Sequence, residues 1–470
     1  MTTGQAARGT GRAAVFALVA MLAPRTTVVA HIGSPDVFLD GLAGPYRVFV
    51  TVRPPLAIPG VAAVEVLTTS DDVREIRIVP LPLTGPGAQF APVPDVAARS
   101  ADDPRLFRGQ LWMMTAGAWQ VRVAVSGDRG SGQVSVPVPT LPRATLAMGR
   151  WLGALLIGLM LLLCAGVVAI IAAMLREAAL PPGEAPGHVA RRRGRIAGAI
   201  ATLVVAAAVY FGNQWWSAEA NTYARYVYKP LEAEVTTSGG RLDLTLRDPG
   251  WLRSRRLDDL VLDHGHLMHL FVVSPELDRL WHLHPSQAAI GAFQQRLPEH
   301  SAGRYELFGD LVHKTGVSET VTASFDAVGG GEPLTGDDSA YPSPSDGRIV
   351  WVRDDVPLVT RRLTMFTFRV EDAAGQPARD LELYMGMPGH AVFIRRDRQV
   401  FAHVHPSGSA PMAAIEIATP SGPSHDHPGA ARPATVSFPY GFPEPGDYKI
   451  FVQIKRGGRI ETGSFDAHVQ

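Results

Sequence analysis

Residues Asp259 to Ser286 read DLVLDHGHLMHLFVVSPELDRLWHLHPS, and residues Asp380 to Ser407 read DLELYMGMPGHAVFIRRDRQVFAHVHPS. Both follow D-L-x-L-x-x-G-x-x-x-H, twelve residues, then H-x-H-P-S. Nine of the twenty-eight aligned positions are identical, and three of those nine are histidine: His269, His282 and His284 in the first copy, His390, His403 and His405 in the second. In each copy two apolar runs flank a polar turn, Leu270 to Val273 with Leu280 to Leu283, and Val392 to Ile394 with Val400 to Val404, which predicts a β-hairpin. A turn centred midway sets His269 opposite His284 and His390 opposite His405. Side chains alternate along a strand and directly opposed residues lie about 5 Å apart, so three imidazoles of each hairpin are expected on one face.

Repeat-like matches extend beyond the hairpins. Arg241 to Leu246 and Arg362 to Val370 precede the two copies as alternating strands, and Phe293, Pro298 and Tyr305 match Phe438, Pro443 and Tyr448. Each copy is therefore expected to be a β-sandwich of roughly a hundred residues, at 229–328 and 347–470, with the Gly/Asp/Ser/Pro-rich stretch 329–346 as linker. Only the second copy has an insertion, Ser421 to Arg432, with an H-x-H of its own at His425 and His427.

Upstream, residues 31–145 carry strand candidates at Tyr46 to Val52, Val61 to Leu67, Val73 to Ile78, Gln110 to Met114, Trp119 to Val125 and Gly132 to Val138. A third sandwich is expected there, without an H-x-H. Turn glycines followed by a strand-opening aromatic, Gly117-Ala118-Trp119, Gly303-Arg304-Tyr305 and Gly446-Asp447-Tyr448, suit immunoglobulin-like sandwiches. Residues 1–30, with Arg8 and Arg12 before the apolar run Ala13 to Ala23 and small residues at Val28-Val29-Ala30, read as a secretory signal peptide that would leave His31 as the mature N-terminus.

Trp151 to Leu175 and Ile196 to Trp216 are each apolar over a membrane-spanning length. Within 146–216 they form an expected transmembrane helix pair joined by a loop, 176–195, that holds Arg176, Arg191, Arg192, Arg193 and Arg195. The positive-inside rule puts that loop in the cytoplasm and the large domains outside it, a multi-pass protein of the cytoplasmic membrane with periplasmic domains. Trp215, Trp216, Tyr223, Tyr226 and Tyr228 suit an aromatic belt. The fold class is thus mainly β, three immunoglobulin-like sandwiches plus a two-helix hairpin.

Balanced charge, 44 basic against 44 acidic residues, gives no electrostatic pull toward nucleic acid. The one cysteine, Cys164, lies in an apolar run, which excludes disulfides, thiolate zinc sites and cysteine nucleophiles from the soluble parts. No nucleophile elbow, H-E-x-x-H, Walker loop or Rossmann glycine pattern is present, so no catalytic residue is assigned.

Thirteen of the fifteen histidines fall between His264 and His468, so metal chemistry would use imidazole. Three imidazoles on a rigid face suffice for a four-coordinate site with one open position. Met268, Met385 and Met387 add thioether sulfur, which favours copper, with zinc or another divalent ion as the alternative. His264 and His266 occupy the positions of Met385 and Met387. The rival reading is a receptor in which sandwich edges bind another envelope protein and the histidines only bond to strand ends.

The chain resembles bacterial extracytoplasmic proteins with YtkA-like and CopC-like immunoglobulin-type domains. The likeness rests on His31-Ile32-Gly33-Ser34-Pro35-Asp36 with Gly44-Pro45-Tyr46, on Trp215-Trp216-Ser217-Ala218-Glu219, and on the two G-x-x-x-H…H-x-H-P repeats. It implies small β-sandwiches handling copper or another heavy metal outside the cytoplasm. CopC-like proteins pair an N-terminal histidine with a second in the same domain. Residues 32–145 contain none, so His31 lacks that partner and stands only as an additional candidate ligand, through its terminal amine and imidazole together.

Overall fold

The alternating apolar runs become strands, and the protein is mainly β, built from several sheets together with two long apolar helices. The computed structural model describes residues 31–33, 36–181, 183–251, 255–339, 341–342, 348–419 and 433–470. The proposed signal peptide and the Ser421–Arg432 insertion, with His425 and His427, lie outside the described residues. Contacts divide the chain into a helical unit around Thr145–Tyr226 and a β unit of Ala30–Ala144 with Val227–Gln470.

In the helical unit, Arg150–Glu177 and His188–Ala224 are helices of 28 and 37 residues. They approach through small residues: a methyl group on Gly198 would lie 3.4 Å from the Ala172 Cβ, and one on Gly194 would lie 3.0 Å from the Ala172 carbonyl oxygen. Gly158 and Gly166 face open space instead. The arginine cluster differs from expectation. Arg191, Arg192, Arg193 and Arg195 form the opening turns of the second helix and not a loop, since arginine is a good helix former once the chain has turned.

The β unit begins with two sheets packed face to face. One contains Val37–Ala43, Tyr46–Arg53, Gly60–Thr68, Leu106–Met113 and Ala98–Arg99; the other contains Gly130–Thr140, Gly117–Gly127, Val73–Pro82 and Asp95–Val96. Their inward residues, among them Val48, Val50, Val64, Ile76, Val121 and Val123, make a single core. The His31–Ile32 main chain does not join these sheets. It pairs in parallel with Val400–Phe401, on the edge of the second histidine repeat.

The first repeat is one nine-stranded sheet that curls around a core of Leu244, Leu270, Val272, Leu283, Phe293 and Leu307. The second is a seven-stranded sheet facing a three-stranded one, around Phe366, Phe368, Phe393, Phe438 and Ile450. Corresponding tyrosines brace the corners: the Tyr305 hydroxyl donates to the Ser301 carbonyl at 3.1 Å and the Tyr448 hydroxyl to the Glu444 carbonyl at 2.7 Å. This is the corner device of immunoglobulin-type sandwiches.

Two assignments change. Tyr228 does not serve a membrane belt; it belongs to the β unit, where its buried hydroxyl donates to Glu319 at 2.9 Å. Nor is 329–346 a passive linker. Gly336–Asp338 forms a 3-10 turn, and Tyr341–Pro342 pairs with Glu461–Thr462 of the second repeat.

The hairpins take the expected registers. Leu270 pairs with Leu283 and Phe271 with His282; Ala391 pairs with Val404 and Val392 with His403. Each hairpin is buried on both faces. Leu270, Val272, Trp281 and Leu283 point into the first repeat's own core, whereas Phe271, Val273 and Leu280 pack with Phe308, Val392, Ile394, Phe401 and Phe451 in a core shared by the two repeats. Phe308 and Phe401 stack with centroids 4.2 Å apart. Fully burying side chains of this size stabilises by about 1.5–3 kcal/mol each, and this shared core fixes where the histidine faces meet.

Candidate metal centre

Alternation sends His269, His282 and His284 to the same side as Phe271, and His390, His403 and His405 to the same side as Phe401. The ligand-capable ring nitrogens of each triad all lie within 4.8 Å of one another. A tetrahedral ion with metal–nitrogen bonds near 2.0–2.1 Å spaces its ligands by about 3.3 Å, so each triad fits with small ring movements.

A two-residue turn sets each triad's first ring. The Asp263 and His266 main chains exchange hydrogen bonds of 2.8 and 3.0 Å, with His264 and Gly265 at φ 52° and 85°. Tyr384 and Met387 repeat the same exchange at 2.8 and 3.0 Å, with Met385 and Gly386 at φ 50° and 78°. Positive φ at both central positions defines a type I′ turn, which is why a glycine recurs there. The turn aims a carbonyl at the histidine: His269 Nε2 lies 3.0 Å from the Asp263 oxygen, and His390 Nε2 lies 3.2 Å from the Tyr384 oxygen. A carbonyl only accepts, so each Nε2 carries the proton and each Nδ1 presents a lone pair.

Those lone pairs meet a second ring. His269 Nδ1 is 2.8 Å from His282 Nε2, and His390 Nδ1 is 3.1 Å from His403 Nε2. The far nitrogen of His403 faces Asp310 Oδ2 at 3.4 Å; the far nitrogen of His282 faces the Tyr384 hydroxyl at 3.3 Å, which itself reaches the Asp337 carbonyl at 2.9 Å. The first chain of contacts is one proton short when the rings are neutral: along His269, His282 and Tyr384, three protons must serve two carbonyls and two intervening contacts. Along His390 and His403 two neutral rings satisfy the Tyr384 carbonyl and the ring–ring contact, and Asp310 lies beside the remaining nitrogen. A cation at the ring–ring contact, accepting both lone pairs, removes the deficit of the first chain and turns the His403 N–H toward Asp310 in the second.

The third rings complete the picture. His284 Nδ1 lies 2.7 Å from Asp338 Oδ1, leaving its buried Nε2 without a partner; both ring nitrogens of His405 are buried and unpartnered, as is His264 Nε2. Buried polar atoms without partners are rare in folded proteins and call for an ion, a water or a function.

Charge is disfavoured on four of the six triad rings. Burial, followed by the neighbouring imidazoles, holds His269, His282, His390 and His405 well below the ordinary histidine range. Burial also lowers the partly exposed His264 and His266. For Asp338, burial works to raise the pKa, but hydrogen bonds from His284 and Gln295 outweigh it and the carboxyl stays below its usual value. Burial lifts the Tyr384 hydroxyl well above the usual tyrosine range. Neutral imidazole is the metal-binding form.

The two triads are not in separate places. Ring centroids of His282 and His390 are 5.5 Å apart, those of His269 and His403 are 5.7 Å apart, and those of His282 and His403 are 5.4 Å apart. Under the repeat correspondence the first two pairs are equivalents, so an approximate two-fold relates the hairpins. The expectation of one site per independent domain is thereby corrected: the shared core brings both triads to one interface.

The added candidates scatter. His264 reaches across, with its ring 4.9 Å from His405 and 5.6 Å from His390; His266 stacks on His284 at 4.0 Å. Met268 lies on the opposite face of its strand, buried in the first repeat's core against Gly309, and supplies no sulfur to the centre. Met385 hydrogen-bonds the His264 ring through its main chain, and Met387 is buried beyond the turn. Of His31 only the main-chain pairing with Val400 is described. Asp263, Asp310, Asp337, Asp338 and Tyr384 are the functional neighbours that sequence reasoning missed. Tyr384 aligns with Asp263 in the repeat, the only sequence signal for any of them.

A family model for a domain of unknown function, DUF8832, matches residues 344–470, the second repeat. No curated protein matches the chain. Among solved structures, the chain is similar to a tetra-tandem repeat from the extending region of a large adhesion protein (10% identity, 88% of this chain and 71% of that one, TM-score 0.16). It is also similar to a Salmonella alpha-2-macroglobulin reacted with methylamine (10% identity, 94% and 24%, TM-score 0.20) and to an ICAM-5 D1–D4 ectodomain fragment (9% identity, 90% and 77%, TM-score 0.16). At these TM-scores no function is carried over.

Proposed function

We propose that this protein binds transition-metal ions through His269, His282 and His284 and through His390, His403 and His405, with copper the first candidate. The observation that carries the reading is the close ring–ring contact seen in both repeats, short of a proton in the first. Orphaned buried nitrogens on His284 and His405 support it independently. Copper is favoured because an all-nitrogen donor set follows the Irving–Williams order, in which Cu(II) binds most tightly; the thioether argument from Met268 has gone. Zinc remains the alternative cargo or cofactor.

The reading extends to a membrane-anchored, extracytoplasmic protein with three immunoglobulin-like sandwiches. Two apolar helices of membrane-spanning length support the anchor, and the arginines between their apolar portions support a cytoplasmic turn. Export reporters fused near residues 140 and 300 should both be active outside the cytoplasm. Cytoplasmic activity at either point would reverse the topology.

Titrating the detergent-extracted full chain with copper, zinc and nickel tests the metal. Uptake at two equivalents per chain, tighter than roughly 10 μM, is expected. Absence of uptake of all three would leave the receptor reading in its place.

A further inference from the structure

We propose that the two triads hold their ions as one dinuclear centre shared by the repeats, with the ions close enough to interact and each site completed by residues of the other repeat. This rests on the metal reading above and goes beyond it, since two sites on two sandwiches could equally be independent. Three observations carry it.

Spacing is the first. Rings of different triads approach to 5.4–5.7 Å, scarcely farther than rings of the same triad, which lie 4.7–5.1 Å apart in the first and 4.5–5.3 Å apart in the second. Six imidazoles so arranged leave no layer of protein between two ions. Two-metal sites typically hold their ions roughly 3.5–4 Å apart, a separation this cluster can accommodate.

The second is the crossing of the groups that orient the ligands. The ring that faces Tyr384 is His282, yet Tyr384 belongs to the second repeat. Conversely His403 of the second repeat faces Asp310 of the first. Asp310 is itself held by the Thr320 hydroxyl at 2.6 Å, and Asp337, whose main-chain carbonyl accepts from the Tyr384 hydroxyl, meets Lys455 of the second repeat through its carboxylate at 3.1 Å. Such outer partners fix ring tautomers, and their loss typically costs 10–100-fold in metal affinity. Each triad is therefore oriented in part by a group of the other repeat.

The third is His264. It is carried by the first repeat, but its ring sits nearest His405 and then His390, and its Nε2 is buried without a partner. His264 is placed to give the second repeat's ion a fourth imidazole. That ion would then be enclosed, while the ion at His269, His282 and His284 keeps an open position, the feature that separates reactive from purely structural metal sites.

The test is electron paramagnetic resonance on the full chain in detergent, loaded with two equivalents of Cu(II). Coupling predicts a half-field transition, or a double-integrated signal well below two spins per chain, and its disappearance in His403→Ala/His405→Ala, whose remaining ion gives an ordinary isolated spectrum. Tyr384→Phe, in the second repeat, is expected to weaken binding at the first triad 10–100-fold with little change in circular dichroism. A sum of two isolated Cu(II) spectra with full spin count would overturn the shared centre and leave the metal reading standing. No copper uptake at all would overturn both.

Discussion

The two histidine repeats are the same device built twice, and they differ mainly in what lies beside it. Both use a type I′ turn to aim a carbonyl at the first histidine, and both place a second ring within 3.1 Å of the freed nitrogen. Beside that common frame, the first repeat offers His264 and His266 where the second offers Met385 and Met387. The outer partners differ too: a tyrosine for His282, carboxylates for His403 and His284. The twenty-eight aligned positions keep one spacing of the histidines, while most residues between them differ. Each hairpin thus serves as half of an interface between the repeats.

The largest expected effect is from His282→Ala with His284→Ala. If the repeats acted alone this would remove one equivalent and leave the other untouched. The shared centre predicts loss of one equivalent and a shifted affinity for the second, read by calorimetric titration. An unchanged second site would restore the independent-repeat picture.

Next comes the shared core. Phe401 is fully buried between the repeats, stacked on Phe308 and 5.4 Å from Phe271. Phe401→Ala should destabilise by about 3–5 kcal/mol, measured by denaturant unfolding, and should weaken both metal sites together. Weakening of the second repeat's site alone would argue that docking does not matter.

A smaller, graded effect is expected from pH. His269, His282, His390 and His405 titrate below the ordinary histidine value near 6.5. Between that value and their lower folded values the unfolded chain binds more protons, so metal-free stability should fall as pH drops below about 6.5. His313 opposes this. Burial tends to lower it, yet hydrogen bonds to Glu319 and Asp259 raise it overall, so its contribution is complete below about 6.5 and lost as pH rises through the folded value. Because His269, His282, His390 and His405 resist protonation, copper should be retained to more acidic pH than an exposed histidine pair would allow. Unfolding midpoints of the metal-free chain between pH 5 and 8 check the direction; greater stability at pH 5 than at 7 would contradict it.

The smallest effect should come from Met268→Leu. Its side chain packs in the first repeat's core and away from the rings, so a volume-conserving change should cost less than about 1.5 kcal/mol and leave copper affinity unaltered. A clear loss of affinity would return thioether sulfur to the centre.

The hairpins, their registers and both triads were legible because a period of two and a fixed turn determine which side chains share a face. What was not legible depends on contacts between distant segments. Asp310 and Tyr384 act on rings of the opposite repeat, and no spacing along the chain encodes that. Asp338 was hidden in a stretch whose composition reads as linker, although it folds onto His284. Phe271 and Phe401 look like ordinary core residues, since a strand buried on both faces carries no sign of which face meets a second domain. The Met268 assignment failed for a simpler reason: its neighbour His269 faces the centre, so residue 268 must face away.

The most direct measurement is an anomalous difference map at the copper edge from crystals of the copper-loaded chain. Two peaks are expected within a few ångströms of each other, one among His269, His282 and His284 and one among His390, His403, His405 and His264. Peaks elsewhere, or none among these rings at full copper loading, would contradict it.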